Sequence, residues 1–260
     1  MGLRTQDYNE LGFVNDFMFA KVMRNGKLCK QLLEVILDVT IERIDYLEEQ
    51  KTINHSMDAR SVRLDVYVRD DKNTVYNVEM QATNPKNLPK RSRYYQGMID
   101  LNLLKKGDDY NKLNKSYVIF ICTEDIFGKG RHVYTFENLC IQDPSIHLND
   151  ETTKVFLNPV SDMDDVDEDL KNFLLYVANG KPVDDFTQEL EREVEAARKN
   201  RGWEEEYMTL HMIEREKYNE GKMEMLFKLV KKGLLDISSA VEESSLSLEE
   251  FIEEMKKAGY

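Results

Sequence analysis

Histidine is scarce: four residues in 260, scattered, which gives a zinc site no support. Cysteine is equally thin. Cys29, Cys122 and Cys140 are odd in number, far apart and without C-x-x-C spacing. They fit a reduced, cytoplasmic protein with buried thiols rather than a disulfide framework. No apolar run approaches the roughly 18–20 residues that span a bilayer, which excludes a membrane span. The opening MGLRTQDYNE is too polar for a secretory signal. Internal repeats and low-complexity linkers are missing too. So is any excess of positive charge: 36 Lys and Arg against 49 Asp and Glu leave −13, whereas a protein that grips phosphate needs cations.

The distribution of charge changes that last reading. Residues 161–260 hold 26 acids against 14 Lys and Arg, while residues 1–160 hold 23 acids and 22 bases. Within the first part, residues 83–115 carry eight Lys or Arg and three Asp. The acidity belongs to the C-terminal part, and a basic stretch lies upstream of it. With 41% hydrophobic residues the chain can build a real core.

The chain is organised around residues 63–81, RLDVYVRDDKNTVYNVEMQ. Val62, Leu64, Val66 and Val68 alternate with polar residues, as do positions 75–81, and Asp70-Asp71-Lys72-Asn73 separates the runs, the pattern of a β-hairpin. Two acids interrupt it. Asp65 lies between Leu64 and Val66, and Glu79 between Val78 and Met80. Strand interiors are poor in acids, and a buried unpaired carboxylate is costly. A divalent cation is the simplest compensation. The competing reading puts both acids on a solvated face, paired with Arg63, Arg69 or Lys72.

Around the hairpin, residues 15–37 predict a helix capped by Asn15 or Asp16 and breakable at Gly26. Residues 40–52 predict a strand. Pro85 and Pro89 bound a loop before a helix over 90–106 that turns Met98, Leu101 and Leu104 inward and ends at Gly107. SYVIFIC, 116–122, reads as a strand buried on both faces. Further strands are expected at 132–139 and 154–157, then helices at 166–178, 183–199, 203–232 and, as two short pieces, 234–258. Ser247 and Glu250 form a capping box for the last. Asp125-Ile126-Phe127 reads as a turn acid followed by a core aromatic. The order predicts an α/β fold: a mixed β-sheet core flanked by helices over 1–162, and an acidic α-helical C-terminal arm over 163–260. The stripe Met223, Leu226, Phe227 and Val230 is more than a small arm buries easily, so it is expected to form a homodimer or to pack on the core.

Asp65 followed 14 residues later by Glu79-Met80-Gln81 resembles the motif of the PD-(D/E)XK nuclease superfamily. NDFMFAKVM (15–23), KRSRYYQGMID (90–100) and SYVIFICTEDIF (116–127) narrow the likeness to its recombination-promoting nuclease, or transposase-like, branch, over about residues 12–212. The resemblance implies a restriction-endonuclease-like core and a DNA endonuclease that hydrolyses phosphodiester bonds with water activated by Mg²⁺ or Mn²⁺, linked to transposition or recombination. It implies Asp65, Glu79 and the Met80 backbone carbonyl as metal ligands, with Asp65, Glu79 and Gln81 catalytic. Gln81 stands where the superfamily has lysine; Gln is the expected residue of this branch, but it supplies no charge. Lys90, Arg91 or Arg93 would then lend it. Glu34 and Asp16 lie where the superfamily often places another acid; Asp16 reads first as a helix-dipole residue and Glu34 as an exposed acid or an added metal ligand. Lys90, Arg91, Arg93, Tyr94 and Tyr95 are candidate nucleic-acid contacts, with one tyrosine ring inward and one outward. An inactive nuclease-fold binding protein working through its helical tail is the alternative, and an RNA-directed nuclease a third.

Overall fold

The computed structural model describes residues 6–53, 62–83 and 86–260; Pro85 lies outside them. The chain divides into two compact units, one of Asn9–Asn200 and one of Arg201–Tyr260 with the residues up to Tyr8.

The first unit holds a six-stranded sheet. Its strands are β1 (Ile44–Ile53), β2 (Val62–Asp70), β3 (Val75–Gln81), β4 (Ser116–Cys122), β5 (Val133–Phe136) and β6 (Thr152–Leu157), in the order β1-β2-β3-β4-β6-β5. The alternating runs form the expected hairpin, β2 antiparallel to β3. Its turn closes on Asp70, whose side chain accepts from Lys72 N–H (2.9 Å), Thr74 N–H (2.8 Å) and the Tyr76 hydroxyl (2.8 Å), while Asn73 takes the left-handed conformation a tight turn asks for (φ 63°). β4 is parallel to both β3 and β6. Flanked on both sides, it is apolar from Val118 to Cys122.

A parallel β3–β4 pair requires a crossover, and α3 (Leu88–Leu103) supplies it, opening with Pro89 in its first turn, where a missing N–H costs nothing. It covers the face shared by Glu79, Phe120 and Phe156: Gln96 Nε2 donates to Ser116 Oγ at 2.8 Å, and the Tyr95 ring stacks on Phe120 with centroids 6.1 Å apart. Met98 is inward as expected. Leu101 is not, being 52% exposed; Leu103 packs on the core instead, and α3 ends there rather than at Gly107.

The helix expected over 15–37 is broken in two. Asn15 caps α1 (Asp16–Val22) by accepting from Met18 N–H, and Asn25 caps α2 (Gly26–Leu37) by accepting from Lys27 and Leu28 N–H. A second cap, rather than Gly26 alone, makes the break. β1 begins at Ile44, later than the strand expected from residue 40, and β5 covers only part of 132–139. Asp125 accepts from the Phe127 and Gly130 N–H groups and the Tyr134 hydroxyl, so it is the turn acid expected, with Phe127 packed on the core. α4 (Glu168–Asn179) and α5 (Asp185–Arg198) pack with α1 and α2. The compact division therefore falls after Asn200, while the switch to helical character falls near residue 162.

The second unit contains α6 (Arg201–Lys231), α7 (Ile237–Ser244) and α8 (Leu248–Lys257). Ser247 and Glu250 form the capping box read from the sequence. Leu226, Phe227, Ala240 and Phe251 are buried together, with Met223 and Val230 packed against them. The stripe expected to drive a homodimer is thus covered by α7 and α8 of the same arm, and it gives no ground for self-association. Among the described residues no helix is long and apolar enough to cross a membrane.

Candidate active site

In the β2–β3 ladder Val66 faces Val78 and Tyr67 faces Asn77. The paired residues end there, and Asp65 and Glu79 are the next on each strand; continuing the register would put them opposite each other on one face. Backbone bonds lock the two carboxyls together: Asp65 N–H donates to Glu79 Oε1 at 3.1 Å, and Met80 N–H donates to Asp65 Oδ2 at 3.0 Å. Glu79 is 1% exposed and Asp65 half-buried.

Their electrostatics follow from that position. Burial pushes the Asp65 carboxyl up to about 7, the Asp16 charge adds to the rise, and the Met80 N–H opposes it. Glu79 is raised well above the ordinary carboxyl range, first by burial and then by Asp65, against the Asp65 N–H and Arg91. Pairing with Arg63, Arg69 or Lys72 does not occur. Among the described residues no lysine or arginine reaches ion-pair distance of Asp65, and Glu79 has only Arg91 Nη2 at 3.7 Å.

Arg91 binds its neighbours more closely than it binds Glu79. It donates to Gln81 Oε1 at 2.8 Å and to the Tyr95 hydroxyl at 2.6 Å, and lies over the Tyr95 and Phe120 rings. Gln81 Nε2 in turn donates to the Met80 carbonyl at 3.0 Å. One connected set therefore joins Asp65, Glu79, Met80, Gln81, Arg91 and Tyr95. Lys90, Arg93 and Tyr94 face outward from the first turns of α3, with Tyr94 40% exposed. The tyrosine pair divides as expected, Tyr95 inward and Tyr94 outward.

One residue of the site, Asn77, was not singled out from the sequence, and another, Asp16, read first as a helix-dipole residue. Asp16 opens α1, where its carboxylate accepts from Phe17 N–H at 2.8 Å, yet its charge also bears on Asp65. Asn77, on the face of Glu79 two residues earlier, is 0% exposed and neither of its amide atoms has a hydrogen-bond partner. It lies close enough to Glu79 to favour the charged form, though no bond of ordinary geometry joins them. An Asn inside a strand was the available signal. Glu34 is not brought to the pair: its carboxylate accepts from Ile41 N–H at 2.9 Å and from Lys30 Nζ at 3.0 Å.

Among the described residues no three His, Cys, Asp or Glu side chains stand ready around a metal ion. The donors are the Asp65 and Glu79 carboxylates and the Met80 carbonyl, all hard oxygens of the kind Mg²⁺ and Mn²⁺ take. The set fits such an ion, because two neighbouring carboxyls are held together where, among the described residues, only Arg91 comes within ion-pair distance, 3.7 Å from Glu79.

Comparison with curated proteins and with solved structures yields no match. The model of a family described as PD-(D/E)XK nuclease family transposase matches residues 13–223, taking in the sheet, α3 and the acid pair. With most of its length matched, the chain belongs to the PD-(D/E)XK nuclease family transposases.

Proposed function

We propose that the protein is a metal-dependent DNA endonuclease that hydrolyses phosphodiester bonds, acting in transposition or recombination. The observation that carries this reading is the adjacency of Asp65 and Glu79 on one face of β2–β3, joined through backbone bonds and without full compensation by any cation. The family adds the reaction class. The thiols of Cys29 and Cys122 are free and buried, which suits the cytoplasm.

Asp65, Glu79 and the Met80 carbonyl would hold Mg²⁺ or Mn²⁺. When bound, such an ion polarises a phosphate and lowers the pKa of water. The remaining work falls to side chains. Met80 N–H and Asp65 N–H fix the two carboxylates, so their spacing is set by the ladder rather than by flexible rotamers. Gln81 orients by hydrogen bonding but brings no charge. Arg91, 2.8 Å from Gln81 Oε1, supplies the cation that a lysine at position 81 would have carried. Lys90, Arg93 and Tyr94 offer contacts for the flanking backbone.

Incubating plasmid and linear DNA with Mg²⁺, beside the Asp65→Ala variant, tests the reading; equal cleavage by both rules out Asp65 as a catalytic group. The alternative, an inactive nuclease-fold binding protein, is favoured by one observation: Gln81 has both ends of its amide engaged, with Met80 and with Arg91. That alternative requires no nicking in Mn²⁺ and no divalent-ion affinity by calorimetry.

A further inference from the structure

Beside the acid pair, along the same sheet face, a cavity of about 410 Å³ opens between the start of α3 and strands β5 and β6. Its floor and wall are aromatic. Phe127 and Phe136 lie 5.1 Å apart, Phe127 and Phe156 5.3 Å, and Phe136 and Phe156 5.8 Å between centroids. Phe136, on the edge strand, leaves 43% of its surface to solvent. Two cations border the cavity. Lys154 Nζ is bonded to Thr152 Oγ1, but Arg93 is exposed and makes no hydrogen bond or ion pair with any described residue. Glu137, also at the rim, is paired with His147 at 3.2 Å.

The cavity is in register with the acids. Glu79 pairs with Phe120 across β3–β4, and Phe120 with Phe156 across β4–β6. Two strand spacings put the Phe156 position roughly 10 Å from Glu79 along the sheet. Between them Phe120 stacks on Phe156 at 5.3 Å and carries the Arg91 guanidinium above it. A single strand advances at least about 3.4 Å per nucleotide, so the cavity is one to three nucleotides from a phosphate at the acids.

We infer that this cavity, between Arg93 and the rings of Phe127, Phe136 and Phe156, is a nucleobase pocket that holds an unstacked base of the strand being cut. Aromatic faces next to cations are how proteins take single-stranded nucleic acid: the rings stack the base and the cations hold its phosphate. A base still paired and stacked in a duplex cannot reach the rings, so the pocket favours a single strand or an extruded nucleotide. The inference rests on the nuclease reading and adds to it the form of the substrate.

The test uses the full chain in metal-free buffer with a single-stranded DNA oligonucleotide carrying 2-aminopurine, and its duplex. Binding of the single strand is expected to quench the 2-aminopurine emission. Phe136→Ala is expected to weaken single-strand binding about 5- to 150-fold, the range for losing one stacking ring, and to leave duplex binding within about twofold. Phe136→Tyr keeps the ring and is expected to bind as the parent does. Arg93→Gln is expected to lower the salt slope by about one. Phe136 is largely exposed on an edge strand, so its variants are expected to melt as the parent does. Single-strand binding unchanged in Phe136→Ala, or lost equally in Phe136→Tyr, overturns the pocket while leaving the nuclease reading in place. No binding of any DNA by the parent chain in metal-free buffer also overturns the pocket, while the nuclease reading still stands or falls on cleavage with Mg²⁺.

Discussion

One β-hairpin carries buried carboxylates at both of its ends, and they are opposites. At the turn, Asp70 is 3% exposed and fully answered by two backbone N–H groups and the Tyr76 hydroxyl. At the open end, Asp65 and Glu79 share backbone donors but also repel each other, and Arg91 meets only one of them, at 3.7 Å. Burial therefore does not mark a site. What marks it is burial with the charge left over, since a protein that wanted only a stable hairpin would have answered these acids as it answered Asp70.

The largest expected effect separates the two ends by substitution. Asp65→Ala or Glu79→Gln should lower DNA cleavage by about a thousandfold or more, while stability in urea stays level or rises, because a poorly compensated buried charge has gone. Asp70→Ala should do the reverse, costing about 3 kcal/mol as buried donors lose their acceptor, with cleavage by the folded protein within about threefold. An Asp70→Ala protein that melts like the parent but no longer cuts would break the comparison.

Proton release sharpens it. Because Asp65 sits up near 7 and Glu79 is raised as well, Mn²⁺ binding at pH 7 should expel protons, seen as a dependence of the calorimetric heat on buffer ionisation enthalpy. The share released from Asp65 should shrink as pH rises above about 7, where that group is already ionised in the free protein. An unchanged heat across buffers at pH 7 would mean that the acids are already charged.

The same raised values fix the sign of the stability profile. A carboxyl whose folded pKa exceeds its unfolded value of about 4 keeps more protons when folded. Its favourable contribution is complete below about pH 4 and is lost as pH climbs through about 7 for Asp65. Thermal melting without metal should decline over that window, by up to about 1.4 kcal/mol per pH unit for each group. Saturating Mn²⁺ or Asp65→Asn should flatten the decline. A profile that rises from pH 4 to 7 in the parent and not in Asp65→Asn would contradict the assignment.

The smallest effect belongs to Glu34. Its carboxylate is occupied with Ile41 and Lys30, so Glu34→Ala should lower stability by about 1 kcal/mol and change cleavage less than about twofold, measured beside Asp16→Ala, which should reduce it more.

Much of this was visible in the chain itself, because strand patterning is local. Val62 to Val68 and positions 75–81 announce a hairpin by period two, and Asp65 and Glu79 stand out because they violate it. The apolar run 116–122 likewise announces an inner strand. What stayed hidden is set by tertiary approach. Nothing in NDFMFA places the first residue of α1 beside β2, so Asp16 read as a dipole residue. Arg91 read as one of several cations, and only the packing of α3 over β3 brings it to Gln81. The stripe on α6 read as a surface in search of a partner because a helical period shows that a face is apolar, not which helix covers it. In this chain α7 and α8 do.

A tail that closes over its own apolar residues does not depend on borrowed surface. Heating should reveal this as two cooperative events rather than one, since each unit has its own interior to lose. It also leaves the outward faces of α7 and α8 free to diverge in sequence without emptying that cluster.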